Sequence, residues 1–155
     1  MRTRFVLFLP LVLFLCVPQA CLAQEPDFVD HIGLLKIINN SKGRVVVINF
    51  WATWCGACRI EFKELATVRR EFPEDDLLML GISMDEDPAA YKNFLRKTAF
   101  NYPVYLGAKS VCALFRVEAI PKLMIYNKRG ALALSHEGFL SSSKLSRIIT
   151  ELRAE

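Results

Sequence analysis

Asn49-Phe50-Trp51-Ala52-Thr53-Trp54-Cys55-Gly56-Ala57-Cys58 joins the end of an apolar strand pattern to the start of a helical one. Upstream, Val45 to Phe50 is almost continuously apolar and β-branched, the composition of a strand covered on both faces and central in a partly parallel sheet. Downstream, Phe62, Leu65, Ala66 and Phe72 recur as one helical stripe that ends at Pro73. The Cys-x-x-Cys pair therefore falls on the first turn of a helix, a site suited to exchanging two electrons. Unpaired backbone N–H groups and the positive end of the helix dipole favour an anion there, so the pKa of the first thiol falls. Cys55 is the expected nucleophile. Cys58, one turn further along the same side, is the expected resolving thiol. Two other readings of the pair stand beside this one: half of a four-ligand zinc site, or two buried structural thiols. A zinc ribbon needs a second ligand pair, and the rest of the chain beyond its N-terminal segment offers only the isolated Cys112, His31 and His136. No metal and no cofactor is expected.

The chain has 155 residues, enough for one domain with a sizeable core. Arg2 and Arg4 precede the apolar run Phe5 to Val17, and a small-residue stretch ends at Cys21-Leu22-Ala23. That is the three-part build of a secretory signal, with cleavage expected after Ala23. The domains are thus a signal peptide over 1–23 and one globular domain over 24–155. The apolar run is short for a membrane span and is broken by Pro10, which disfavours an uncleaved inner-membrane anchor. A lipid-modified Cys21 is a third option, poorly matched by the preceding Pro18-Gln19-Ala20.

Removing residues 1–23 removes Arg2, Arg4, Cys16 and Cys21, which leaves 18 basic residues, 16 acidic ones and three cysteines. A near-balanced charge gives no footprint for nucleic acid. Three cysteines, two of them only three residues apart, do not make the even, scattered set of a disulfide-stapled exported domain. Cys112 is expected to pack in the core as a weakly polar hydrophobe.

Alternating signals continue along the chain. Phe28, Ile32, Leu35 and Ile38 have helical spacing before the turn Asn39 to Gly43, and Leu77 to Ile82 makes a second buried strand. Asp87-Pro88 is an N-cap and first-turn pair for a helix carrying Tyr91, Phe94 and Leu95. A short strand over Tyr102 to Leu106 and a short helix around Val111, Leu114 and Phe115 follow. Lys122 to Tyr126 and Ala131 to Ser135 flank a Gly-closed turn and read as an antiparallel hairpin, and Leu145, Ile148, Ile149 and Leu152 mark a closing amphipathic helix. The prediction is an α/β fold with a central mixed sheet of about five strands and helices on both faces.

Val47 to Glu61 resembles the active-site segment of thioredoxin-fold proteins, and is most similar to the exported thiol-disulfide oxidoreductases grouped with TlpA and the cytochrome-c-maturation reductases. Gly81 to Asp85, the helix after it and Tyr102-Pro103-Val104 resemble the extra αβ unit that this group inserts before the cis-proline strand, and Ala119-Ile120-Pro121 looks like the loop bearing that proline. The resemblance implies several roles. Cys55 and Cys58 would form the redox disulfide. Trp54 would make an apolar rim, and Ile120 and Pro121 a main-chain docking edge, for a substrate polypeptide. Glu61, three residues beyond Cys58 on the same helical side, would tune the thiols and accept protons, with a solvated surface glutamate as the other reading of the position. The chain departs from the pattern at three places. Asn49 stands where thioredoxins carry a buried Asp, Lys63 replaces a helix-kinking proline, and Ala57 replaces the proline between the cysteines.

Together these imply a periplasmic thiol-disulfide oxidoreductase, a soluble monomer after signal cleavage, that reduces protein disulfides and is recharged by a membrane thiol reductase. The same chemistry run backward would give a disulfide oxidase or isomerase. A copper-delivery module for respiratory enzyme assembly is the alternative of another class, and the lack of a Met or His cluster beside the cysteines opposes it.

Overall fold

A computed structural model describes residues 28–155, so the signal reading over 1–23 and the domain start at residue 24 lie outside the described residues. The apolar run around Val45 forms strand β2 (Val45–Trp51), buried at every position. It pairs in parallel with β3 (Leu77–Ser83) on one side and antiparallel with β5 (Lys122–Tyr126) on the other. A strand with neighbours on both edges and helices on both faces has no polar side to present, and its sequence shows that. Outside these lie β1 (Phe28–Val29), β4 (Val104–Gly107) and β6 (Leu132–Glu137), in the sheet order β1-β4-β3-β2-β5-β6. The helices are α1 (His31–Asn40), α2 (Gly56–Glu71), α3 (Pro88–Leu95), α4 (Lys109–Phe115) and α5 (Ser142–Ala154).

Alternation along β2 divides the core. Val45 and Val47 meet Leu65 and Val68 of α2 and Leu145 and Ile149 of α5, while Val46, Ile48 and Phe50 meet Leu34, Val111 and Phe115 of α1 and α4. A third cluster gathers Trp51, Cys55, Cys58 and Tyr91 at the end of the sheet.

The sheet has six strands rather than about five. Phe28, read as part of the first helix's stripe, instead lies with Val29 in a strand that pairs in parallel with Leu106 and Gly107. Asp30 then caps α1, its Oδ1 accepting from Gly33 N at 2.7 Å. With Phe28 held in the sheet, α1 turns Leu34 and Ile38 inward and leaves Ile32 and Leu35 exposed, so the apolar spacing located the helix while only Ile38 of that spacing is buried in it. Other boundaries fall close to expectation. Asp87 caps α3 through Ala89 N at 2.8 Å, and α2 runs unbroken through Lys63. In the hairpin, Asn127 Oδ1 accepts from Arg129 N at 3.1 Å and Ala131 N at 3.0 Å, and Gly130 takes φ of +80°.

Gly81 fixes how closely β3 approaches its surroundings. A Cβ there would lie 2.8 Å from Val104 Cγ1, 3.1 Å from Trp51 Nε1 and 3.2 Å from Tyr102 Cε2. Gly81→Ala is therefore expected to lower unfolding free energy by about 1–3 kcal/mol through overpacking, read as a shift in urea midpoint at constant slope. An unchanged midpoint would show that the strand can yield there.

Candidate active site

The backbone leaves β2 at Trp51 and enters α2 at Gly56 through a turn closed by Cys55 N donating to Ala52 O at 3.1 Å. Cys55 is the N-cap of α2, and its Sγ accepts from Cys58 N at 3.1 Å. The helix thus aims an unpaired N–H at the first sulfur, the geometry that stabilises a thiolate when the pair is reduced. The two cysteines are joined as a disulfide, with Cα atoms 5.4 Å apart. Cys58 is fully buried, whereas Cys55 is 6% exposed. An incoming sulfur therefore meets Cys55.

Trp54 stands beside the pair at 70% exposure. The Ile120–Pro121 bond is cis, and Ile120 packs against the cluster of Trp51, Ala52 and the two cysteines. Pro121 O accepts from Gly138 N at 2.8 Å. Between Trp54 and Ile120 lies a shallow hollow of about 150 Å³, also lined by Met84, Cys112, Val117 and Glu118. Cys112 is half-buried on its rim rather than packed in the core, because α4 turns Val111 and Phe115 inward and leaves the residue between them at the edge.

Beneath the pair lies Glu61, fully buried one turn beyond Cys58 on α2. The alternation that sends Val45 and Val47 toward α2 sends Asn49 the same way, and Asn49 Nδ2 donates to Glu61 Oε2 at 3.1 Å. Leu140 N donates to Glu61 Oε1 at 3.0 Å. Burial raises the Glu61 carboxyl to about 7 against these two hydrogen bonds, which work to lower it. It is a proton-holding group poised near neutrality. Tyr102, also buried, is pushed upward by desolvation first and by the Glu61 charge second. One turn further along α2, Glu64 accepts from Ser142 N at 2.7 Å, and the Ser142 hydroxyl and N–H hold its carboxyl below the usual range. The start of α5 is thereby tied to the helix that carries the cysteines.

All six residues singled out in the sequence converge on this end of the sheet: Cys55, Cys58, Glu61, Trp54, Ile120 and Pro121. Three contributors were missed. Trp51 is boxed by Phe62, Phe94 and Phe100 with ring centroids 5.1–5.4 Å away, a rigid aromatic floor. Leu140 acts through its backbone, which leaves no trace in residue type. Asp85, 6% exposed, binds the loop before Cys55, and an acid directly after an apolar strand at the carboxyl edge of a parallel sheet was a legible signal for it. Among the described residues, no group of three or more His, Cys, Asp or Glu is arranged to hold a metal ion.

Comparison with known proteins agrees with this geometry. The thiol-disulfide oxidoreductase ResA of Bacillus subtilis is 28% identical over 126 residues, covering 79% of this chain and 70% of that protein. The sporulation thiol-disulfide oxidoreductase A of the same organism is 20% identical over 154 residues, covering 92% of both chains. Among solved structures, a thioredoxin-family thiol:disulfide interchange protein from Chlorobium tepidum superposes with a TM-score of 0.67 at 23% identity, over 74% of this chain and 83% of that one. These relatives bear out the thioredoxin-like α/β fold and the resemblance to thiol-disulfide oxidoreductases. Residues 18–135 match the model of the AhpC/TSA family, and with well over half of its length inside that match the chain belongs to this family.

Proposed function

We propose that the protein is an exported disulfide reductase acting through the Cys55–Cys58 dithiol. The observation that carries this reading is the asymmetric placement of the sulfurs, with Cys55 capping a helix at the surface and Cys58 sealed above a buried carboxyl. In the reduced enzyme the Cys55 thiolate attacks one sulfur of a substrate disulfide and expels the other as a thiolate. Glu61 takes the Cys58 proton, Cys58 attacks Cys55 Sγ, and the second substrate thiolate leaves. Two electrons pass to the substrate, two protons complete its thiols, and the Cys55–Cys58 disulfide remains. Trp54, Ile120 and the Pro121 loop form the docking edge on which a polypeptide segment lies during the mixed disulfide.

The reducing direction is supported by what flanks the sulfurs. Gly56-Ala57 supplies no cation or imidazole to stabilise the thiolate, and a buried carboxylate disfavours it. Recharging in an oxidising compartment would fall to a membrane thiol reductase. The apolar N-terminal segment supports export to the periplasm with cleavage after Ala23. Cell fractionation with N-terminal sequencing is expected to return a periplasmic chain beginning at Gln24, and recovery of the domain in the cytoplasm would remove the basis of the electron-relay scheme.

The roles of the two cysteines are tested by alkylation. In the single variants Cys55→Ala and Cys58→Ala, the remaining Cys55 is expected to react faster at pH 7 than the remaining Cys58. The reverse order would exchange their roles.

A further inference from the structure

Asp85 follows the end of β3 and takes no part in the chemistry above. It is 6% exposed, and both of its carboxylate oxygens are filled by donors. Thr53 N donates to Oδ2 at 3.0 Å and lies 3.2 Å from Oδ1, while the Thr53 hydroxyl donates to Oδ1 at 2.7 Å. The Ser83 hydroxyl donates to Oδ2 at 2.6 Å, and Asp85 N donates back to Ser83 Oγ at 3.1 Å. One residue just beyond β3, tied back to Ser83 at the strand's end, therefore grips one residue of the turn that carries the redox pair.

The ends of that turn are held by the buried Ala52 and Cys55, and between them Thr53 and Trp54 have few other contacts. Cys55 N to Ala52 O at 3.1 Å is its closing backbone bond, and Arg59 Nη1 reaches Thr53 O only at 3.5 Å. Trp54 projects into solvent and adds little packing. Thr53 directs both a backbone and a side-chain donor at Asp85. Three donors, Thr53 N and the Thr53 and Ser83 hydroxyls, share the two oxygens of a charged carboxylate, whereas an amide would offer them a single uncharged acceptor oxygen.

We propose that Asp85 is the positioning residue of the redox centre. It clamps Thr53, and so fixes the 52–55 turn that aims Cys55 Sγ at the Cys58 N–H and holds Trp54 at the docking edge. The inference rests on Cys55 and Cys58 being the redox centre and not on the direction in which they work.

The test uses the purified protein and three variants, Asp85→Asn, Thr53→Val and Ser83→Ala. Each is read for the equilibrium constant of the Cys55–Cys58 couple against dithiothreitol, for kcat and KM with insulin disulfides, and for thermal midpoint. Asp85→Asn is expected to shift the equilibrium constant by about fivefold or more and to lower kcat/KM by about tenfold, since a displaced reacting group costs rate steeply. Thr53→Val, which keeps the backbone donor, is expected to shift the equilibrium in the same direction by a smaller factor, and Ser83→Ala, whose lost hydroxyl bonds Asp85 rather than the turn, by the smallest. A lowered thermal midpoint in Asp85→Asn with equilibrium constant and kcat/KM unchanged within about twofold would reduce the contact to a structural clasp and overturn the proposal. Should Asp85→Asn not fold, an unshifted equilibrium in Thr53→Val would overturn it equally. If instead the reductase reading fails, the couple lies at the oxidising end while the graded shifts persist, so the two failures are distinguishable.

Discussion

Cys55→Ala is expected to reduce disulfide-reductase activity to the rate of the small-molecule reductant alone, while Cys58→Ala retains a single attack and accumulates a stable mixed disulfide with substrate. The difference follows from access and order. Cys55 reaches the surface and accepts the Cys58 N–H, so it forms the first bond. Cys58 is sealed inside, so it acts only on a sulfur already bound at Cys55. Non-reducing electrophoresis with mass spectrometry reads the outcome directly. A trapped adduct on Cys58 in the Cys55→Ala variant, at a yield like that on Cys55, would contradict the order of attack.

Glu61→Gln is expected to have the second largest effect, in two observables. The first is stability against pH. Burial raises the folded carboxyl to about 7, whereas in the unfolded chain it titrates near 4.5, so between these values the folded state binds the extra proton. The contribution is fully present below pH 4.5 and is lost as pH rises through about 7, reaching about 3 kcal/mol in sum. Removing the titration with glutamine should flatten that part of the stability curve and leave the variant more stable than the parent at pH 8. The second observable is rate. Without a proton acceptor at that position, decay of the mixed disulfide near pH 7 should slow by roughly 10²-fold. Urea midpoints between pH 4 and 8 and single-turnover kinetics check the two parts. A variant with the parent's pH slope would show that Glu61 is solvated as any surface glutamate, and an unchanged decay rate would remove it from the proton transfer.

Patterned and local features of this fold were legible in the sequence. The β2 run and the Cys-x-x-Cys at the following helix start gave the central strand and the pair at once, since both depend only on neighbours along the chain. Asp87-Pro88 and Asn127 to Gly130 likewise carried their own capping and turn chemistry. What escaped was set by contacts distant in sequence. Phe28 joined the sheet because β4 offered an open edge, and that turned α1 by a face. Cys112 came to the rim because of how a seven-residue helix lies on the sheet. Within the site, the types and spacing of Cys55, Cys58 and Glu61 were informative. The partners of Glu61 at Asn49 and Leu140 lie 12 and 79 residues away, and no local pattern announces a backbone N–H that points at a buried acid.

The most direct measurement is equilibration of the Cys55–Cys58 couple against a glutathione or dithiothreitol redox buffer. A disulfide reductase with no stabilising group between its thiols and a buried acid beneath them should give a midpoint near the thioredoxin end of the range, about −270 mV. A midpoint close to about −120 mV, with ready oxidation of reduced proteins, would contradict the reducing assignment.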